Sequence, residues 1–305
     1  LVDRDGKLWV KYLWKTLGKD YGKALGRIDV NTKRLVQKFE YDIDEANGLV
    51  SERLRDVVMD SKGRVWIAAF GGLNRLDPSQ DRMVSYRFDA ADSTSLSSDF
   101  ISFVFEDSKG RIWIGTFDEG LNLWDEPSNT FQHWKDNNSF SVVLTATETD
   151  DGSLWFGTER GEGLFQMDTE TNELSYYNKR NGLASDVVGK IVQDQNGYLW
   201  MPSEAGITRW NPTEEEARIF SELDGFGAYS SEHVPQYGKP ILASNGDIWF
   251  NNYDQLFRIQ PDKLLRGDQT PPQVLIRSIK INGELFQAAE EGKLASHISQ
   301  TPSLS

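Results

Sequence analysis

The segments Asp60-Ser-Lys-Gly-Arg-Val-Trp66 and Asp107-Ser-Lys-Gly-Arg-Ile-Trp113 differ at one position only. The frame recurs as Asp3-Arg-Asp-Gly-Lys-Leu-Trp9, Thr149-Asp-Asp-Gly-Ser-Leu-Trp155, Asp194-Gln-Asn-Gly-Tyr-Leu-Trp200 and Ala243-Ser-Asn-Gly-Asp-Ile-Trp249. Successive tryptophans stand 57, 47, 42, 45 and 49 residues apart. Six copies in register are beyond chance, and a period of about 40–50 residues marks a repeat architecture. Each segment reads as a turn, with a Gly that tolerates positive φ, leading into a strand that carries the Trp.

A second element repeats beyond each Trp: Gly72-Leu-Asn-Arg-Leu-Asp77, Gly120-Leu-Asn-Leu-Trp-Asp125, Gly163-Leu-Phe-Gln-Met-Asp168 and Gly206-Ile-Thr-Arg-Trp-Asn211. Weaker copies are Gly26-Arg-Ile-Asp29, after a longer insertion, and Gln255-Leu-Phe-Arg-Ile-Gln260. Aromatic strands then follow turns, as in Val84-Ser-Tyr-Arg-Phe88 and Leu174-Ser-Tyr-Tyr177. With the strand before each turn, such as Leu54 to Met59, every unit has four short strands, named A to D here. Four strands per repeat make a propeller blade. The chain is therefore expected to be all-β, a β-propeller of four-stranded blades with six repeats visible. Residues 1–268 are assigned to the propeller. Residues 269–305, which include Pro271-Pro272, are assigned to a linker or the beginning of a truncated β domain. Runs such as Val65-Trp-Ile67 are apolar without alternation, the pattern of a strand buried on both faces. The tryptophans are read as core that fills the wedge between blades. Two hairpins, headed by Thr149 and Ala243 in place of Asp, are expected to be looser.

Bulk properties exclude several function classes. Net charge is −14, a field that repels a phosphate backbone, so nucleic acid is not an expected partner. There is no cysteine, hence no disulfide, thiol nucleophile or thiolate metal site. No run approaches the roughly 18 apolar residues of a membrane span. Asp3-Arg-Asp-Gly6 and Asp150-Asp-Gly152 lack the alternating ligands and distal Glu of a calcium loop and read as turns. No metal or cofactor is expected. Of the three histidines, His133 falls in an outer strand and His297 in the C-terminal tail. His233, beside Glu232, is the one placed to act as a base at a channel mouth.

Binding has a geometric basis. In a propeller the loops joining B to C, and D to the next A, share one face. The residue four after each Trp falls in the B–C loop: Leu13, Phe70, Phe117, Glu159, Glu204 and Tyr253. These differ while the frame repeats, as a shaped binding surface requires. The candidate ligand-binding residues are Trp14, Phe70, Phe117, Asp118, Glu159, Arg160, Glu204 and Tyr253. Aromatic rings would stack on a sugar or similar ring, and Asp118, Glu119, Glu159, Arg160 and Glu204 would take hydroxyls. The insertion from Tyr12 to Lys23 is read as an elongated first B–C loop, either a lid or a contact with other parts of the parent protein.

The Asp-x-x-Gly-x-aliphatic-Trp segments, the pairs Gly115-Thr116 and Gly157-Thr158, and the inter-blade segments Asn47-Gly-Leu-Val-Ser51 and Asn181-Gly-Leu-Ala-Ser-Asp186 resemble the two-component-regulator propeller family. Thr270 to Phe286 resembles the opening of the tyrosine-rich Ig-like domain that follows such propellers. The resemblance implies a ring of seven blades and a periplasmic sensor of a hybrid histidine kinase or membrane diguanylate cyclase. It also implies a membrane-anchored, dimeric parent, with a small molecule or oligosaccharide as ligand and no catalysis in this segment. The alternatives are a protein-binding scaffold and a propeller enzyme, since streptogramin lyases and gluconolactonase-like hydrolases are similar in their blades.

Overall fold

The carboxylate at the head of four of the six repeats explains its spacing from the tryptophan. Asp60 Oδ1 accepts from the backbone N–H groups of Lys62 (3.0 Å) and Arg64 (2.9 Å). Its Oδ2 accepts from Arg64 Nε at 2.6 Å and Trp66 Nε1 at 2.8 Å. One buried side chain thus closes the turn and holds the indole six residues on. Asp3, Asp107 and Asp194 each accept the indole N–H of Trp9, Trp113 and Trp200 in the same way. Buried polar groups must be paired, and an indole buried to this depth has its one donor satisfied by the one residue placed to meet it.

The structure, a computed structural model, describes residues 1–14, 22–41, 48–77, 82–134, 142–159, 161–169, 171, 173–203, 205–221, 240–251, 256–266, 278–281 and 284–287. For 11–14, 22–24, 251, 265–266 and the last two stretches this covers the backbone alone. Blade 1 comprises β1 (Lys7–Trp14), β2 (Gly22–Asp29) and β3 (Arg34–Glu40). Blade 2 comprises β4 (Leu54–Met59), β5 (Val65–Ala69), β6 (Gly72–Asp77) and β7 (Arg82–Tyr86). Blade 3 follows with β8 (Ile101–Glu106), β9 (Ile112–Thr116), β10 (Leu121–Asp125) and β11 (Thr130–Trp134), and blade 4 with β12 (Val143–Glu148), β13 (Leu154–Thr158), β14 (Leu164–Met167) and β15 (Leu174–Tyr177). Blade 5 has β16 (Val192–Gln193), β17 (Leu199–Ser203), β18 (Gly206–Asn211) and β19 (Glu216–Phe220). Blade 6 has β20 (Ile241–Leu242), β21 (Ile248–Asn251) and β22 (Leu256–Ile259). All pairings within blades are antiparallel between sequential strands, the signature of an all-β propeller.

Blades 2 to 5 have four strands, while blades 1 and 6 show three among the described residues. In blade 1, Val2 pairs with Leu8 in a bridge at the A position. In blade 6 the chain turns after β22 into a short helix, α1 (Pro261–Arg266), that the repeat pattern did not announce. The chain divides into two compact units, Leu1–Pro261 and Asp262–Ser305. In the second, a hairpin of β23 (Ser278–Ile281) and β24 (Glu284–Gln287) is described. Most of the segment resembling an Ig-like domain lies outside the described residues.

Blades pack through their broad faces. Four apolar clusters each join two neighbours. Between blades 2 and 3, Trp66 meets Trp124 edge to face, with centroids 4.9 Å apart. Trp66, Trp155 and Trp200 have no exposed surface, and burying such a ring contributes about 5 kcal/mol of transfer free energy. At the A–B turn end a carboxylate of the next blade grips the turn. Glu106 accepts from Ser61 N (2.7 Å) and Oγ (2.6 Å), and Glu148 does the same for Ser108 (2.6 Å each).

Two expectations are corrected. The hairpins headed by Thr149 and Ala243 close like the others: Gly152 N reaches Thr149 O at 2.8 Å and Gly246 N reaches Ala243 O at 2.9 Å. Backbone geometry, set by the turn glycine, closes them. Thr149 Oγ1 still accepts from Trp155 Nε1, at a longer 3.3 Å, and donates to Asp151 Oδ1 at 2.6 Å. Secondly, the segment from Tyr12 to Lys23 is not simply a loop. β1 and β2 run on as a paired ladder as far as Trp14 opposite Gly22, so Leu13 is a strand residue facing Lys23. The connection between them is outside the described residues.

Candidate functional site

The Gly-Leu-Asn start of strand C shapes the loop end. Gly72 has φ +124°, and a Cβ there would fall onto the carbonyl oxygen of Tyr86. Gly163 and Gly206 meet Tyr177 O and Phe220 O in the same way, so only glycine lets strand C start this close to strand D. Two residues on, the wholly buried Asn74 accepts from Val50 N at 2.9 Å and donates to Gly48 O and Ser85 Oγ. Asn122 fixes Ser97 equivalently, and Thr208 Oγ1 takes Ala184 N. The connector entering each blade is thereby stapled beside its B–C loop. Thr116 and Thr158 close those loops by donating to Gly120 O and Gly163 O at 2.9 and 3.0 Å.

On this frame the loop ends of blades 2 and 3 meet. Phe70 N donates to Arg53 O, Phe117 N to Phe100 O, and both Gly71 N and Gly72 N to Asp99 O. The rings of Phe70 and Phe117 stand edge to face at 5.1 Å, and Phe70 and Phe100 at 5.8 Å. Beneath them lies Arg55, the second residue of β4. Its guanidinium carbon is 4.7 Å from the Phe70 centroid and 4.6 Å from that of Phe117. Arg55 is 8% exposed, whereas Phe100 is 52% and Phe88 49% exposed. Cation–π contacts of a desolvated guanidinium contribute about 2 kcal/mol each, so Arg55 locks the two rings into one platform. Asp118, half-buried, follows Phe117, and its Oδ1 is buried without accepting a hydrogen bond among the described residues.

Of the residues singled out from sequence, the structure brings Phe70 and Phe117 together with Asp118 beside them. Glu159 sits at the blade 4 loop, its N–H donating to Val142 O at 3.3 Å. Arg160, Glu204 and Tyr253, the side chain of Trp14, and His233 and His297 lie outside the described residues. His133 is exposed on β11 and hydrogen-bonds Ser95 O at 2.7 Å. Sequence reasoning missed Arg55 and Phe100. The signal for Arg55 was present: five residues before the turn residue the other blades carry Ser102, Leu144 and Gly189, and this blade alone among them carries a charge.

Among the described residues no group of three His, Cys, Asp or Glu is placed to hold a metal ion, and no helix is long and apolar enough to cross a membrane.

Comparisons with known proteins agree with the repeat. The family model for "Two component regulator propeller" matches residues 95–118, from the connector before β8 to the loop after β9. Histidine kinase P4 of Formosa agariphila is 36% identical over 93 residues, which are 28% of this chain and 6% of that protein. The extracellular domain of a hybrid two component system from B. thetaiotaomicron superimposes with a TM-score of 0.67 at 17% identity. That match covers 86% of this chain and 33% of that one. A catalytically inactive virginiamycin B lyase from Staphylococcus aureus gives a TM-score of 0.58 at 14% identity, covering 83% of this chain and 84% of the lyase. These structural likenesses show the fold, and the chain spans a small part of the kinase and a third of the B. thetaiotaomicron domain. With its repeated turns and blade topology the chain is a β-propeller, and its third blade matches the two component regulator propeller model.

Proposed function

We propose that this propeller is the extracytoplasmic, ligand-reading part of a two-component signalling protein. The observation that carries the reading is the platform of Phe70, Phe100 and Phe117 on Arg55, built where two blades meet on a frame that otherwise repeats. Loop-end residues free of any role in the frame are where a repeat protein places recognition. The likeness to extracellular domains of two-component systems supports the same reading. In the whole protein, occupancy would pass through the segment after Pro261 to a membrane helix and a cytoplasmic kinase or diguanylate cyclase, which requires a ligand that binds two states differently. The ligand is a small molecule or saccharide fragment, and this segment performs no catalysis.

A thermal-shift panel of saccharides, amino acids and nucleosides tests this. A ligand at about 100 times its Kd adds about 2.7 kcal/mol of stability. The response should vanish in Phe117→Ala with the unliganded fold retained. A panel without any response, together with capture of a specific protein through the exposed rings of Phe88 and Phe100, would favour the scaffold instead.

A further inference from the structure

Blade 5 carries two arginines that the frame leaves without a polar partner. β17, β18 and β19 set Trp200, Arg209 and Arg218 in one row, a residue from each strand. Residues directly opposite in an antiparallel pair share a face, with Cβ atoms about 4.5–5.5 Å apart, and like charges so placed destabilise the pair. Neither Arg209 nor Arg218 makes a hydrogen bond or an ion pair among the described residues, and Arg209 Nε is buried with its proton unmet.

Three other blades place an arginine of strand C opposite the tryptophan, and each of those has a polar partner. Arg27 Nε meets Asp3 at 2.6 Å, Arg258 Nε meets Asp247 at 2.8 Å, and Arg75 reaches Asn129 at 3.3 Å. In blade 5 the guanidinium carbon of Arg209 lies instead 3.3 Å from the ring centroid of Tyr198. The carboxylates of the blade are engaged elsewhere or stand clear. Asp194 accepts from Asn196 N, Tyr198 N and Trp200 Nε1. Glu214 takes Asn211 Nδ2, and Glu215 takes the Tyr177 hydroxyl. Glu216, two residues along β19 from Arg218, forms no ion pair among the described residues.

Aromatic rings hold the two guanidiniums without using their N–H edges. Arg218 lies 4.8 Å from the Phe220 centroid, and Arg209 5.9 Å from that of Trp200. Trp200 and Phe220 are themselves stacked at 5.6 Å. A guanidinium seated by its flat face keeps its fork of donors for an oxyanion, and holding it beforehand lowers the ordering cost of binding. Arg218 is exposed and Arg209 half-buried, so solvent reaches the pair. We propose that Arg209 and Arg218 form an oxyanion site on the flank of blade 5. It takes a tetrahedral dianion: phosphate or sulfate, free, or a phosphate monoester. Two negative charges offset the repulsion between the guanidiniums, which a single carboxylate does only in part. The site is separate from the phenylalanine platform and does not rest on the sensor reading.

The 305-residue chain is titrated calorimetrically at constant ionic strength with phosphate, sulfate, phenyl phosphate and acetate. Phosphate and sulfate should bind, with acetate weaker by about tenfold or more, and Arg218→Gln should weaken phosphate by a similar factor. Arg209→Gln should do the same, and if that variant does not fold, the Arg218 comparison stands by itself. Thermal melts supply a second readout. Phosphate and sulfate raise Tm by general exclusion in any variant, so the excess rise of the parent over Arg218→Gln is what the site contributes. In phosphate-free buffer Arg218→Gln should melt no lower than the parent, because it removes a like-charge pair. Phenyl phosphate that binds as well as phosphate assigns the site to an end group, and weaker binding assigns it to the free anion. Phosphate binding that is equal in parent and variant overturns the proposal. So does acetate binding as tightly as phosphate, or a fall in the Tm of Arg218→Gln that is the same with and without phosphate, the mark of a structural arginine.

Discussion

Replacing Asp107 with Ala removes a side chain that accepts four hydrogen bonds, from Lys109 N, Arg111 N, Arg111 Nε and Trp113 Nε1, at 2.6 to 3.0 Å. The costs separate by solvent access. Trp113 is 1% exposed, so its orphaned N–H has no water and costs about 1–3 kcal/mol. The Arg111 side chain is 29% exposed and can rehydrate, so most of its ion pair is recovered. The two turn N–H groups lose a net hydrogen bond of about 1 kcal/mol each. The sum, about 3–5 kcal/mol, matches the cost of breaking a buried charged contact from one side. In a domain of this size that lowers Tm by about 10 °C. Blade 4 supplies the internal control, because Trp155 Nε1 meets a neutral hydroxyl at 3.3 Å and Thr149→Ala should cost about 1 kcal/mol. Denaturant unfolding followed by tryptophan fluorescence measures both. Equal losses in the two variants, or an Asp107→Asn variant as stable as the parent, would refute the view that the carboxylate earns its place by holding the indole.

Four further outcomes are expected. Gly72→Ala should destabilise far more than Gly110→Ala in the same melts, because both have positive φ but only at Gly72 does a Cβ strike backbone, the Tyr86 carbonyl. Glu126 is held below its ordinary 4.5 by Lys62, whose hydrogen bond together with Arg64 outweighs burial. Its contribution is therefore complete above about pH 4.5 and is lost as pH falls through the lower native value, so an acid titration of Glu126→Gln should show a flatter stability profile there. Burial pushes Lys190 down from 10.5 to about 8, so the unfolded chain binds the extra proton between those values and stability rises with pH across them. Urea midpoints of Lys190→Met relative to the parent should accordingly be highest below pH 8 and fall back as pH approaches 10.5. Glu106→Ala should free the Ser61 turn, seen as faster amide exchange at Ser61 with little change in global stability, since the clamp is exposed to solvent.

The fold was legible because its determinants are local. A turn glycine, an aspartate and a tryptophan six residues later form one contact unit, Asp60 with Trp66, that needs nothing from the rest of the chain. The Gly-Leu-Asn motif is likewise a complete device, with Gly72 under the Tyr86 carbonyl and Asn74 reaching Val50. What the repeat did not convey were features set by neighbours outside its frame. β1 and β2 lengthen through Trp14, where the strand formers Tyr12 and Trp14 carry the ladder on opposite Gly22 to Ala24. Helix α1 begins at Pro261 as the blade pattern ends, a position where proline is well suited to a first helical turn.

The candidate site was half legible for a related reason. Counting four residues on from Trp66 and Trp113 finds Phe70 and Phe117, because the B strands of blades 2 and 3 have the same length. It cannot find Arg55, whose role depends on strand A of one blade passing under the loop of the next, so that its guanidinium meets Phe117 from blade 3 as closely as Phe70 from its own. Arg55 stands at a position the frame fills with Ser102, Leu144 or Gly189, side chains that share no charge or shape. A position so indifferent to packing imposes no need for an arginine. The residue there is explained by what it touches, two rings at the mouth of two blades, and a guanidinium carried into an 8% exposed setting must be balanced by contacts that the repeat itself does not provide.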